Sequence, residues 1–321
     1  MRILLTTTSF QDTPGRHHEV LAASGFEVVR ARGPLDEAKM LELVRAGGGF
    51  DGLLNGDDHI TAAVIDAALP RLKVIAKYGI GLDSIDVKHA TARRIPVLFT
   101  PGVNHTTVAE HTFLLMIALA KHLWVHASSF KSGGWKRVTG TELWGKTLGV
   151  LGMGRIGKEV IKRAAAFEMK CLAFDSYFDD AFAKQWGVER CMTAEEVLRR
   201  SDILSLHMNL SDENRHFINA ERVGMMKKGA LVVNTARGGL VDEAAVAEAC
   251  RSGRLGGYAA DVLEIEPARP PHPFQGIDNI LITPHVGSRT FESVERQALR
   301  AVDNIVNFLK GGRDYIQANP F

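Results

Sequence analysis

Over the first hundred residues, short apolar runs alternate with segments in which apolar residues recur every three or four positions. The runs "RILLTT", "EVVRA", "GLLNG", "KVIAKYG" and "VLFT" predict strands. "HHEVLAAS", "DEAKMLELVRA", "TAAVIDAAL" and "IDVKHATARR" between them predict helices. Such alternation predicts a parallel sheet with helices on both faces. The stretch "TVAEHTFLLMIALAKHLWVH" (107–126) then runs with almost no breaker. Its apolar positions cover more than one stripe, which predicts one long helix buried on several sides, crossing between domains or facing another subunit. A loop-like "SGGWKRVTGTELWGK" follows, with two of the four tryptophans. Alternation restarts at "TLGVLGMGRIGKEVIKRAAAFEMKCLAFD" and continues through "DILSLHM", "GALVVNT", "GGYAADV" and "NILITPH". The last periodic segment, 293–312, predicts a helix stopped by Gly311-Gly312.

Composition narrows the class. At 321 residues the chain has room for two domains or one large one. Hydrophobic residues make up 45% and charged residues 24%, as in ordinary globular proteins. A formal charge of +2 with no basic run argues against nucleic acid as a partner. Cys171, Cys191 and Cys250 are scattered without a CxxC pair, so neither a disulfide framework nor a zinc site is expected, which fits a reducing cytosol. "MRILLTTTSF" turns polar too soon for a signal peptide. "FLLMIALA" (113–120) is far below the length that spans a bilayer. The expectation is a soluble, cytoplasmic protein with no membrane partner.

Chemistry begins at "TLGVLGMGRIGKEV". A strand leads into Gly152-Met153-Gly154-Arg155-Ile156-Gly157, and a helix follows. GxGxxG alone is a weak signal, but the next strand "KCLAF" ends at Asp175, about twenty residues on, the dinucleotide spacing. Gly152 would permit the turn, Gly154 would let backbone approach a pyrophosphate, and Gly157 would let the helix pack on the strand. Amides near Arg155 and Ile156 would face the phosphate charge. Asp175 would accept from the adenosine ribose and repel a 2′-phosphate, favouring NAD over NADP.

Three later segments deliver polar residues to strand ends. "GALVVNTAR" places Arg237 there, "GGYAADVLEIEP" places Asp261 and then Glu266, and "NILITPH" places His285. Ligands bind outside the carboxyl ends of strands in open parallel sheets, so these four are candidates for one crevice. Singly each has a bland reading as a loop, cap or turn residue. Beside a dinucleotide turn they are the parts for oxidising a hydroxy acid.

The motifs "AKYGIGLDSID" (76–86), "VAEHT" (108–112), "GKTLGVLGMGRIG" (145–157), "LVVNTARGGLVDE" (231–243), "AADVLEIEP" (259–267) and "ITPHVGS" (282–288) run nearly end to end. In them the chain resembles the D-isomer-specific 2-hydroxyacid dehydrogenase family, in its phosphoglycerate-dehydrogenase-like branch. The resemblance implies an α/β fold of two Rossmann-like domains with parallel sheets and the cofactor between them. The NAD-binding domain (101–288) would be inserted into a split substrate domain (1–100 and 289–321). It implies catalytic Arg237, Glu266 and His285, Asp261 at the nicotinamide end, and Thr235, Ala236 and Gly287 also on the cofactor. Substrate would meet Arg237, and backbone amides of Tyr78, Gly79 and Ile80 would hold its carboxylate. A homodimer built around the helix from Asn104 to His122 is also implied. His285 would exchange the hydroxyl proton, an imidazole with its ordinary pKa of about 6.5 serving both directions. Glu266 would set the tautomer and stabilise the cationic ring. Arg237 would grip the carboxylate and polarise the C2 oxygen with a planar fork that lysine lacks, and the glycines after it would give substrate and cofactor room.

The chain departs from the branch in places. Where phosphoglycerate dehydrogenases carry a basic residue, "GLLNGDDHIT" offers Asn55, Asp57 and Asp58, which would repel a phosphate; Lys77 or His59 could still serve a larger anion. The chain also stops at "ANPF", without room for the regulatory domain some of those enzymes carry. Asn209 stands where the family commonly has proline. The expected substrate is therefore a small 2-hydroxy or 2-keto acid. Alternatives are 3-phosphoglycerate or a dinucleotide-sensing corepressor-like role. Formate is disfavoured because Glu266 stands where formate enzymes have glutamine. His17-His18 and His105/His111 lack partners for a metal site. Trp135 and Trp144 are expected to pack, in part at a subunit contact.

Overall fold

The computed structural model describes residues 1–321, and the chain forms two compact units, Met1–Asn104 with Arg289–Phe321 and His105–Ser288. In the first, β1 (Arg2–Leu5), β2 (Glu27–Arg30), β3 (Gly52–Asn55), β4 (Val74–Lys77) and β5 (Val97–Leu98) pair in parallel in the order β2-β1-β3-β4-β5. Strands β3 and β4 are buried at every residue, as covered parallel strands must be. Between the strands lie α1 (Thr8–Asp12), α2 (Arg16–Ala23), α3 (Glu37–Arg45), α4 (Ala62–Ala68) and α5 (Val87–Ala92). Asp36, Thr61 and Asp86 cap three of these helices, each side chain accepting a first-turn amide.

The second unit opens with α6 (His105–Ala120) and α7 (Leu123–Lys131). It continues β6 (Thr147–Leu151), α8 (Arg155–Ala166), β7 (Lys170–Phe174), α9 (Asp180–Trp186), β8 (Val188–Arg190), α10 (Ala194–Arg200), β9 (Ile203–Leu206), α11 (Ala220–Met225), β10 (Ala230–Asn234), α12 (Glu243–Arg251), β11 (Leu255–Ala260) and β12 (Ile280–Ile282). All seven strands are parallel, in the order β12-β11-β10-β9-β6-β7-β8. The order reverses between β6 and β9, the switch point where doubly wound sheets open a crevice beyond their strand ends. Helix α13 (Phe291–Leu309) then packs Ala298, Ala301, Val302 and Ile305 into the first unit, against Ile3, Leu5, Leu54 and Val74.

The single long helix expected over 107–126 is two helices. The Ala120 carbonyl accepts the Thr141 amide at 2.8 Å, His122 takes a left-handed φ of +49°, and α7 departs at 70° to α6. No glycine or proline marks the break; a loop twenty residues downstream supplies it. No single helix is long and apolar enough to cross a membrane, although α6 and α7 together pass by length and composition. Most of α6 is buried, packed on α8, β10 and β11.

Candidate active site

The turn after β6 needs its three glycines for three different reasons. Gly152 has φ +94°, and a Cβ there would lie 2.6 Å from the His207 carbonyl carbon in the loop leaving β9. A Cβ on Gly157 would meet the Gly152 oxygen at 2.2 Å, so α8 sits directly on the turn. Gly154 has nothing within 4 Å of where its Cβ would be. It is the N-cap of α8 and makes no side-chain cap, which leaves the first-turn amides at Arg155 and Ile156 facing open space. Asp175, just past β7, accepts the Met153 amide with one oxygen and the Tyr177 amide at 2.6 Å with the other. Each oxygen keeps a lone pair for another donor.

At the end of β10, buried Asn234 braces the arginine turn. Its Oδ1 accepts the Ala236 amide at 3.0 Å and its Nδ2 donates to the Arg237 carbonyl at 2.9 Å. Thr235, expected at the cofactor, bonds the Thr112 hydroxyl of α6 at 2.8 Å. Half-buried Arg237 lays one guanidinium nitrogen on the Ala236 carbonyl at 2.7 Å. Packing alone already requires the glycines after it, apart from the ligand room that the sequence suggests. A Cβ on Gly238 would fall 1.9 Å from the Leu263 carbonyl carbon, and one on Gly239 would press Leu210 at 3.0 Å. Gly238 lets the arginine turn pack backbone to backbone on the loop that carries Glu266, while Gly239 leaves room for the side chains of Leu210 and Arg215.

In that loop Glu266 takes the Leu263 amide with Oε1 at 2.8 Å and the His285 Nδ1 with Oε2 at 2.7 Å. With Nδ1–H on the carboxylate, Nε2 is the basic nitrogen. Both side chains are partly exposed. His285 has a left-handed φ of +53°, uncommon for a residue with a Cβ, and its amide donates to the Asp261 carbonyl at 2.9 Å.

Asp261 and Gly287 are hydrogen-bonded to each other at the segment that carries His285. Buried Asp261 accepts Thr283 Oγ1 at 2.6 Å, the Val286 amide at 2.9 Å and the Gly287 amide at 2.7 Å. His111 Nε2 lies 2.9 Å from Thr283 Oγ1 and 3.3 Å from Asp261 Oδ1. Burial alone would push the Asp261 carboxyl up, but His111, Thr283 and the Val286 amide outweigh it and hold the carboxyl below its ordinary value. Where a nicotinamide contact is expected, the immediate partners of Asp261 are the loop 283–287 that carries His285.

The expected substrate loop lies in the first unit, after β4. There the Tyr78 amide donates to the Asn55 carbonyl at 2.9 Å and the Gly79 amide to Thr100 Oγ1 at 3.0 Å. Of the three expected amides only that of Ile80 is uncommitted. Burial pushes the Tyr78 phenol up to about 12. The acidic pair also reads differently in three dimensions. Asp58 is fully buried, accepting the Thr6 hydroxyl and the Leu35 and Gly56 amides, the latter two at 2.9 and 3.0 Å. Asp57 pairs at 2.6 Å with Lys77, itself 3% exposed. The two carboxylates therefore do not form a doubly negative face towards a ligand, contrary to the expectation. His17 and His18 place Nε2 on the carbonyls of Phe10 and Thr13, each at 3.0 Å. The loop at Asn209 is closed by Asn214, which donates to the Asn209 carbonyl at 2.7 Å.

Residues 113–287 match the model of the D-isomer specific 2-hydroxyacid dehydrogenase NAD-binding domain. The chain belongs to the D-isomer-specific 2-hydroxyacid dehydrogenase family. Its cofactor is NAD, and the family's enzymes are oxidoreductases acting on a hydroxyl group. It is similar to D-3-phosphoglycerate dehydrogenase of Methanocaldococcus jannaschii, 41% identical over 254 residues, 78% of this chain and 48% of that protein. The chain thus spans about half the length of that relative. Glyoxylate reductase of Thermofilum pendens is 41% identical over 266 residues, 79% of this chain and 76% of the relative. The crystal structure of TT0316 protein from Thermus thermophilus matches with TM-score 0.87 and 38% identity, covering 99% of this chain and 100% of that one.

The residues present fit the family's cofactor, since the open cradle at Gly154 adjoins uncapped helix amides and a carboxylate. Sequence reasoning missed Asn234, His111 and Thr283. Asn234 was discoverable, because an asparagine two residues before a turn amide is an Asx-turn signal. His111 and Thr283 were not, since 172 positions separate them.

Proposed function

We propose that this chain interconverts a small D-2-hydroxy acid and its 2-keto acid, with Arg237, Glu266 and His285 as its catalytic residues. The observation that carries the reading is the Glu266–His285 pair at 2.7 Å, with the Glu266 loop backed by the Arg237 turn. Bound NAD supplies the hydride acceptor. His285 Nε2 takes the hydroxyl proton and returns it in reduction, while Glu266 fixes the tautomer and offsets the charge of the protonated ring. Arg237 holds the substrate carboxylate and polarises the C2 oxygen. Gly154, Arg155, Ile156 and Asp175 hold the pyrophosphate and adenosine ribose, and Thr235, Ala236, Asp261 and Gly287 border the nicotinamide half. The second unit is the NAD-binding domain. The first, with the Ile80 amide and the neighbouring Tyr78 and Gly79, is the substrate domain.

The relatives named for glyoxylate and for hydroxypyruvate support an unphosphorylated substrate. The Lys77–Asp57 pair bears on the phosphorylated alternative, because an anion could compete for that lysine. We further propose a homodimer. Leu114, Leu123, Phe130, Trp135 and Trp144 are each more than half exposed on and after α6 and α7, an apolar surface of the kind that marks a protein contact. A cytoplasmic location accords with three buried free thiols.

The test is NADH consumption with glyoxylate, hydroxypyruvate, pyruvate and phosphohydroxypyruvate, with NADPH as control. His285→Ala is expected to lose on the order of 10²–10⁴ in kcat while still binding NADH. Near-normal turnover in that variant would sink the assignment. Preference for phosphohydroxypyruvate would overturn the small-acid reading alone.

A further inference from the structure

Beside the arginine turn sits a polar cluster that none of the proposed catalytic steps uses. Glu264 lies two residues before Glu266, with Oε1 2.8 Å from Arg215 and 2.9 Å from His216 Nε2. Its own amide donates to Glu243 Oε1 at 2.9 Å, and the other Glu243 oxygen lies 3.2 Å from His272. The His216 amide donates to the Gly239 carbonyl at 2.7 Å, and His216 adopts φ +52°. Gly238 presses on the Leu263–Glu264 peptide from the remaining side. These contacts close a circuit from the Arg237-Gly238-Gly239 turn through His216 and Glu264 to the Glu266 loop, and back through Gly238.

We propose that Glu264 is a positioning residue that sets the Glu266 loop against the Arg237 turn. The proposal rests on the roles given above to Arg237 and Glu266. Glu264 is the only side chain in the circuit that joins both Arg215 and His216 to the Glu266 loop. It does so from 29% exposure, where an ion pair adds little stability, so its effect lies in geometry. Glu266 has to meet His285 while Arg237 meets the substrate, and a misplacement of about 1 Å can cost roughly 100-fold in rate. Glu264 holds that spacing from outside the site, without contact to substrate or to the reacting atoms.

The experiment compares Glu264→Ala and Glu264→Gln in the full-length protein. It measures NADH binding by fluorescence, turnover with glyoxylate and hydroxypyruvate per NADH-binding site, and hydrogen exchange over 262–267. Glu264→Ala is expected to lose about 10- to 100-fold in kcat per binding site with NADH affinity within about threefold, and to exchange faster across the loop. Glu264→Gln keeps an acceptor for Arg215 and His216 and should recover most of both. A loss of stability alone would lower the number of binding sites and leave turnover per site unchanged. Turnover per site within threefold in Glu264→Ala, unchanged exchange, or a Gln variant as slow as the Ala variant would overturn the proposal. Should Glu264→Ala not fold, Arg215→Met carries the same comparison with a smaller expected loss. If the unaltered protein reduces no 2-keto acid, the catalytic reading falls, and exchange over 262–267 still decides whether Glu264 braces the loop.

Discussion

Arg237 shows how much fixed structure one side chain requires. Its backbone is pinned by Asn234 and its turn is seated on the Leu263–Glu264 peptide, so the guanidinium starts from a rigid base. Arg237→Lys would keep the charge and lose the fork. Losing one charge-assisted bond of about 1.5–3 kcal/mol predicts a fall of roughly 10- to 150-fold in kcat/KM for the keto acid. NADH affinity should stay unchanged. Steady-state kinetics beside an NADH titration check this, and equal losses in both would show that Arg237 serves the cofactor. At this scale the sequence already points to Arg237, Glu266 and His285, because apolar runs end just before Arg237 and His285, and Glu266 follows in the loop after another. It does not point to Asn234, His111, Arg215 or Glu264, whose importance lies in partners brought close only by folding.

Among elements, the turn between β6 and α8 separates two uses of glycine that look identical in GxGxxG. Gly157→Ala would drive a Cβ against the Gly152 oxygen, a 2.2 Å approach that has to be relieved by moving α8. Overpacking of this kind costs about 1–3 kcal/mol, so its melting temperature should drop. Gly154→Ala meets no protein atom and loses only the N-cap preference for glycine over alanine, so stability should fall by no more than about 1 kcal/mol while NADH binding weakens. Thermal melts and NADH titrations of the two variants distinguish the roles; a Gly154→Ala protein that binds NADH normally would remove the pyrophosphate from this cradle. The break at Lys121-His122 carries the opposite lesson. Its cause is a hydrogen bond from Thr141 to Ala120, and no local pattern predicts it.

For the molecule as a whole, stability in acid depends on groups far from the chemistry. Asp51 in the first unit is largely buried. Burial alone would raise its carboxyl, but the Arg2 amide, Lys73 and Arg71 outweigh that and bring it down to about 2. A carboxyl lowered from 3.8 to about 2 contributes stability that is complete above pH 3.8 and disappears as pH falls towards 2. Asp51→Asn should therefore cost up to about 2 kcal/mol at neutral pH. The gap to the unaltered protein should close between pH 4 and 2. Urea melts across that range test this, and a gap independent of pH would assign the loss to packing. The unit it stabilises depends on both ends of the chain, since α13 fills the core beside β1, β3 and β4.

Local sequence pattern was enough to specify the α/β class, the strand and helix alternation, the dinucleotide turn and the residues at the strand ends. Those features are local, since periodicity, turn chemistry and spacing act within a few residues of each other. Folding in three dimensions makes Asp58 a buried loop staple, matches Lys77 with Asp57, and uses Gly238 to seat one loop on another. It also sets Asp261 to hold the His285 loop and Glu264 to join two segments 49 residues apart. Each of these depends on which distant atom lies on the far side of a contact. That is fixed by packing, and the pattern of apolar and polar residues does not carry it.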